Sequence, residues 1–257
     1  MTLAIIVGIL VGFMLGLTGA GGSIFAVPLF ILVLSLSPND AMGIALGAVS
    51  ISAIVGILAK LNKRQIAWKP ATILITTGMT LAPLGRWLGS LIDQRLLLTG
   101  FILLASYIAI RMWQLPKEDS SQAPGTHLKL TNKSANKQSL LLLLAGAGAG
   151  FLSGLFGVGG GFLNVPILNV LTGLSMRRAI DTSLIVIALV SATGFIFHVN
   201  WIAKVPTELL MIVTGGSVIG IFIGTVLTQR IATQQLQRFF AVSVLGLMAL
   251  SVPKILS

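Results

Sequence analysis

The sequence predicts an all-α, polytopic membrane protein made of two inverted repeats. Each repeat is a re-entrant helical hairpin followed by three transmembrane helices. Three observations predict this. Of 257 residues, 55% are hydrophobic and only 9% charged, with a mean hydropathy of +1.00. A soluble domain has roughly 25% charged residues, so this chain cannot coat a soluble surface, which excludes a soluble enzyme or a disordered tail. Apolar runs of about 20 residues, the length of a membrane span, recur along its whole length. Finally, Gly12–Pro28 (GFMLGLTGAGGSIFAVP) returns as Gly150–Pro166 (GFLSGLFGVGGGFLNVP). At a constant offset of 138, Gly12, Phe13, Gly16, Leu17, Gly19, Gly21, Gly22, Val27 and Pro28 are identical to their partners. A repeat at one fixed period marks a duplicated structural unit.

The elements follow in order. Four apolar stretches, about Leu3–Leu36, Ala41–Ala59, Ala71–Ile92 and Leu96–Trp113, form a first membrane repeat, residues 1–114. A polar segment at 115–139, with six charges among Pro, Gly, Ser, Asn and Gln, reads as a solvated linker. Stretches of about Leu140–Leu174, Ala179–Val199, Val205–Thr228 and Leu236–Val252 form the second repeat, 140–257. The first basic residue is Lys60; a signal peptide would need a basic leader, so the N-terminal stretch is expected to belong to the membrane domain. The absence of cysteine removes disulfides, thiolate metal sites and cysteine nucleophiles.

Each repeat opens on an apolar stretch too long for one span, with a glycine cluster at its centre. The clusters are Gly19, Gly21 and Gly22 in one half, and Gly157, Gly159, Gly160 and Gly161 in the other. Glycine weakens helices and adopts backbone angles other residues avoid, so two short arms joined by a turn are expected. An arm of about 15 residues reaches about 22 Å at 1.5 Å per residue, short of a hydrocarbon core about 30 Å thick. The hairpin should therefore enter and leave on one side. Basic residues agree. With non-crossing hairpins, one side gathers Lys60, Lys63, Arg64, Lys69, Arg111, Lys117, Lys129, Lys133, Lys137, Arg177, Arg178, Arg230 and Arg238, 13 of the 17 Lys and Arg. Arg86, Arg95, Lys204 and Lys254 lie opposite. Crossing hairpins would divide them 11 against 6. The positive-inside rule then places the linker in the cytoplasm and both termini outside. An odd number of spans per half inverts the second half in the bilayer. Trp68, Trp87, Trp113 and Trp201 fall near span ends, where an interfacial belt belongs.

The paired glycine hairpins, the 3+3 layout and the Asn200–Trp201 loop resemble the TauE/SafE family of membrane proteins, associated with export of sulfite, sulfoacetate and related sulfur-containing anions. The resemblance covers the chain apart from the linker. It is most specific in Gly16–Pro28, Gly154–Pro166 and the Ala179–Leu184 segment AIDTSL. The first half departs from that last pattern, with Gly43, Ile44 and Ala45 in place of Asp181, Thr182 and Ser183.

At each glycine turn the second arm starts inside the membrane. A helix start leaves four backbone N–H groups unpaired and has about half a positive charge; an anion answers both. Inverted repeats would bring the two tips together near the midplane, where such transporters hold substrate. The candidate substrate-binding residues are Gly19, Gly21, Gly22, Ser23, Gly157, Gly159, Gly160 and Gly161, with Asn164, Thr182 and Ser183 as side-chain additions. A plain structural bend is the competing reading of the turns. The spaced pairs Gly12/Gly16, Gly150/Gly154, Gly85/Gly89 and Gly216/Gly220/Gly224 read as close helix packing. Arg86 is expected to snorkel outward, with anion guidance as the alternative. Asp181 follows Arg177 at the spacing of a local helix pair, against a proton-coupling role. Glu208 reads as solvated and His198 as structural. Two His and six acidic residues offer no paired acids, metal cluster or nucleophile with a base, so no enzyme, cofactor or metal is expected.

These features make the expected protein an inner (cytoplasmic) membrane exporter of a small anion, working by alternating access around the two breaks. An importer coupled to H+ or Na+ and a non-transporting assembly subunit stay open as alternatives. The expected partners are the anionic substrate and the lipid bilayer. A homo-oligomer is compatible, while nucleic acid is not expected, because the basic residues form no stripe interleaved with exposed aromatics.

Overall fold

The computed structural model describes residues 1–19, 21–58, 66–114, 135–159, 161–202 and 205–228, with 242 and 246 beyond. All elements among these residues are helices: α1 (Thr2–Thr18), α2 (Gly21–Val33), α3 (Pro38–Leu58), α4 (Trp68–Leu91), α5 (Gln94–Gln114), α6 (Ala135–Phe156), α7 (Gly161–Thr172), α8 (Met176–Trp201) and α9 (Thr207–Thr228). Among them α3, α9, Gln138–Phe156 of α6 and Met176–Asn200 of α8 are long and apolar enough to cross a membrane. The expected last stretch, Leu236–Val252, lies almost wholly outside the described residues, as does most of the linker. Helix α6 already begins at Ala135, within the expected linker.

Close glycine packing builds the scaffold. Side chains added at Gly8 and Gly12 of α1 would overlap the carbonyls of Val213 and Ser217 on α9, and one at Gly16 would lie 2.6 Å from the Ile221 carbonyl. From the other side, Gly216, Gly220 and Gly224 press on the α1 backbone at Ile5, Ile9 and Phe13. The same seam joins α6 to α4, where Gly150 meets Gly78, Gly154 meets Ala82 and Gly89 lies against Leu155. The spaced glycines are packing residues, as their spacing predicts. In a membrane, where lipid is as apolar as leucine, such backbone approach is a main source of helix affinity. Ser217 Oγ and Thr228 Oγ1 of α9 add hydrogen bonds to the Gly8 and Gly16 carbonyls, at 3.0 and 2.9 Å.

Those contacts fix directions. Helices α1 and α9 run parallel, as do α4 and α6, because the contact partners ascend together. Helices α3 and α8 run antiparallel: Gly43 meets His198 and Gly47 meets Phe195, while Ser50 Oγ donates to the Ala188 carbonyl at 2.9 Å. Ser50 and Ala188 are 138 residues apart, so repeat-equivalent positions face one another where these two helices cross. The 138 offset also exchanges the α1–α9 seam with the α6–α4 seam, and it relates the left-handed residues Gly19 (φ 63°) and Ser35 (φ 52°) to Gly157 and Gly173 (both φ 65°).

Helix α3 is also parallel to α9, with Gly47 on Leu210 and Gly56 on Ile221. The chain therefore enters α1 and α3 from one end of the molecule, and the α1–α2 hairpin leaves where it entered. Its arms are unequal, which corrects the expectation of two arms of about 15 residues. Helices α1 and α2 have 17 and 13 residues, and α6 and α7 have 22 and 12. At 1.5 Å per residue α6 spans about 33 Å, enough to cross a bilayer by itself. The glycine seam along α4 explains this length, since it supports α6 as far as Leu155. Exposed Trp68 and Trp87 stand near opposite ends of α4, about 28 Å apart along its axis, close to the thickness of a hydrocarbon core.

Candidate functional site at the helix breaks

Helix α1 ends at Gly19, whose N–H bonds the Leu15 carbonyl at 2.8 Å in a left-handed cap. A side chain there would meet both the strained φ and the body of Ile180. Gly157 repeats the arrangement after α6, pressed on Met42, the repeat equivalent of Ile180. Met42 lies eight residues, about 12 Å, along α3 from the Ser50–Ala188 crossing. The first arms thus run past the crossing from opposite ends before they turn, which corrects the expectation that the two tips meet near the midplane. Helices α2 and α7, which start after the turns, touch each other.

Gly159 (φ 74°) brings the second turn back towards the crossing. A Cβ at this glycine would overlap Ser191 Oγ of α8 and lie 3.6 Å from Val49 of α3. Ser191 is fully buried, and its hydroxyl has no hydrogen-bond partner among the described residues. The same holds for Ser52, three residues along α3 from Val49 and so on the same face. Buried polar groups are normally paired. Two unsatisfied hydroxyls on the helices that cross beside the turn therefore offer donors to a ligand entering there.

The sequence-predicted residues divide between roles. Gly19, Gly157, Gly159 and Gly161 are buried at the turns. Gly21 and Ser23 lie in the first turn of α2, but their side-chain environment, like Gly160 altogether, falls outside the described residues. Gly22 faces the first arm, where a Cβ would sit 2.5 Å from the Val11 carbonyl, so packing alone explains why it is glycine. Asn164 is buried in α7. Thr182 and Ser183, both fully buried, bond protein groups: Thr182 Oγ1 accepts the Ala67 N–H at 3.1 Å. Ser183 Oγ donates to the Gly19 carbonyl at 2.7 Å, shared with the Ile180 carbonyl at 2.9 Å. Ser183 therefore clamps the first turn in place.

Arg86 corrects its expectation. It does not snorkel; its side chain is 0% exposed. Nε donates to His198 Nδ1 at 3.1 Å, Nη1 to Met42 Sδ at 2.9 Å and Nη2 to Asn39 Oδ1 at 2.8 Å. Arg86 lies four residues from Ala82, the α6 contact, on a face of α4 turned into the molecule, where outward snorkelling has no route. Glu208 is exposed in the first turn of α9, as expected. No group of three or more His, Cys, Asp or Glu among the described residues could hold a metal ion.

A family model described as "Sulfite exporter TauE/SafE" matches residues 4–252. The chain is 34% identical to a "Probable membrane transporter protein" of Xylella fastidiosa over 93% of this chain and 90% of the relative. It is 28% identical to one of Methanocaldococcus jannaschii, covering 96% and 93%, and 27% identical to one of Bacillus subtilis, covering 88% and 89%. No solved structure matches. The chain belongs to the TauE/SafE family of membrane transporters.

Proposed function

With that membership as premise, we propose that the protein exports a small sulfur-containing anion, such as sulfite or sulfoacetate, across the cytoplasmic membrane. The anion binds where the second glycine turn, at Gly159, meets the α3–α8 crossing, and the two halves rock around it. The observation that carries this reading is Ser191: a buried, unpartnered hydroxyl beside the left-handed turn from which α7 starts. Hydroxyl and helix-start N–H groups are all donors, and an oxyanion supplies the acceptors.

The inverted placement of the halves in the bilayer is part of the proposal. It is supported by the antiparallel course of the equivalent helices α3 and α8 and by the one-sided distribution of Lys and Arg. On that orientation the 59–67 segment, the linker and the α8 start face the cytoplasm. Direction follows from charge. With the interior negative, each negative charge leaving the cell gains about 2.3 kcal/mol per 100 mV, so export needs no coupling ion.

Purified protein challenged with sulfite, sulfoacetate, sulfate, phosphate and acetate in a thermal-unfolding assay tests the substrate class. Sulfite or sulfoacetate should raise the unfolding temperature at millimolar concentration, more than acetate does. Equal or absent shifts for the whole panel would remove the reading.

A further inference from the structure

Arg86 is a buried guanidinium with no carboxylate among its hydrogen-bond partners. Its three hydrogen-bond partners are an imidazole nitrogen, a thioether sulfur and a carboxamide oxygen, all uncharged acceptors, and sulfur is a weak one. The acid nearest in sequence to these partners, Asp40, has its carboxylate engaged by the Ser37 hydroxyl at 2.7 Å at the start of α3. It stands close enough for its charge to act on the His198 ring, but no hydrogen bond joins it to Arg86 among the described residues. A guanidinium has five N–H donors, so two remain beyond the three bonds made. His198 adds another. Its Nδ1 accepts from Arg86, which leaves Nε2 as the N–H of a neutral ring. Nε2 is fully buried and without a partner among the described residues. It faces Gly43, where a Cβ would lie 2.6 Å away. Surplus donors beside a guanidinium with no hydrogen-bonded carboxylate among the described residues, all inside a membrane protein, describe a site that can take an anion.

Its place in the fold gives it a purpose. Met42, which occupies Arg86 Nη1, is also the residue on which the Gly157 turn rests. Two residues later the same turn reaches Ser191. One turn therefore touches both the central site and the Arg86 cluster, about 12 Å apart along α3. We propose that Arg86, Asn39 and His198 form a second oxyanion site. The transported anion occupies it between the central breaks and the α3-start end of the molecule, when movement of the Gly157 turn draws Met42 off the guanidinium. This rests on the transport reading above. Arg86 suits the task because its planar fork matches the oxygens of a sulfite, sulfonate or similar headgroup. The full burial of Arg86 in this structure corresponds to the closed state of the site.

Asn39→Asp provides the decisive test, because it places a carboxylate of the same shape against Nη2. If Arg86 only staples α3, α4 and α8 together, this ion pair leaves anion binding unchanged. If Arg86 receives the anion, the built-in carboxylate takes its place. Sulfite titrations would follow the unfolding temperature of wild type, Asn39→Asp and Arg86→Gln in an uncharged maltoside detergent, which offers no lipid phosphate. We expect Asn39→Asp to unfold at or above the wild-type temperature without sulfite. Its half-maximal sulfite concentration should rise at least tenfold, and that of Arg86→Gln likewise. Should Arg86→Gln fail to fold, Asn39→Asp decides alone. Equal sulfite sensitivity of wild type and Asn39→Asp overturns the second site while leaving transport intact. A wild type insensitive to the whole anion panel overturns both.

Discussion

Removing the Ser191 hydroxyl should make the protein more stable and less active, an opposition that follows from its surroundings. Ser191 is 0% exposed, and its Oγ has no partner among the described residues. An unsatisfied buried hydroxyl costs about 1–3 kcal/mol, so Ser191→Ala should gain at least part of this, about 1 kcal/mol. For a chain of this size that corresponds to roughly 2–4 °C in unfolding temperature. If the hydroxyl donates to the anion, its loss removes a hydrogen bond to a charged group, about 1.5–3 kcal/mol. Affinity should then fall about ten- to hundredfold. Ser50→Ala is the matched control. It lies on the same pair of helices, but its hydroxyl holds the Ala188 carbonyl at 2.9 Å, so its removal should lower stability by about 1 kcal/mol with little effect on anion affinity. The assay pairs thermal unfolding with sulfite titration and with release of labelled sulfite from proteoliposomes. A Ser191→Ala protein that is less stable and transports at the wild-type rate refutes the reasoning, because the hydroxyl would then serve packing.

Other outcomes follow from the same geometry. Gly12→Ala and Gly154→Ala drive a methyl into the Ser217 and Ala82 carbonyls; each should lose at least about 1–3 kcal/mol, seen as lowered unfolding temperature or yield. Ser183→Ala frees the Gly19 carbonyl and should cost about 1 kcal/mol, measured by thermal unfolding. Since the chain lacks cysteine, single cysteines report topology directly. Thr2→Cys and Glu208→Cys should react with an impermeant thiol reagent from outside intact cells, and Ser175→Cys only after lysis. Labelling of Thr2→Cys and Ser37→Cys from opposite sides would contradict non-crossing hairpins.

Much of this architecture is legible in the sequence because a duplicated chain repeats its breaks as well as its spans. The 138-residue offset marks Gly19 and Gly157, which share one left-handed conformation. Glycines spaced by four announce the seams of α1 with α9 and α4 with α6. Within a cluster, though, the residue type does not separate a turn glycine from a packing one. Gly19 and Gly22 look alike in sequence, yet one caps a helix and the other makes room for a backbone. Arm lengths were equally hidden, since an apolar stretch does not say where its turn falls.

The polar groups were least legible. Helices apolar on all sides leave no periodic stripe to show which face turns inward, so nothing marks Arg86 as buried. Its partner His198 is 112 residues away, in the other half. Ser191 escaped because its repeat equivalent is Ala53, and duplication highlights only what both halves keep. One departure between the halves now has a physical reason. Gly43 replaces the equivalent of Asp181 where the His198 ring needs the space.

The central claim is that a small sulfur-containing anion crosses this protein unassisted by a coupling ion. Proteoliposomes loaded with labelled sulfite, with an imposed potassium diffusion potential and no sodium or proton gradient, test it most directly. The account predicts wild-type efflux that accelerates as the interior is made negative, and that weakens in Ser191→Ala. Efflux no faster than from protein-free vesicles, or efflux that appears only with a sodium or proton gradient, would contradict it.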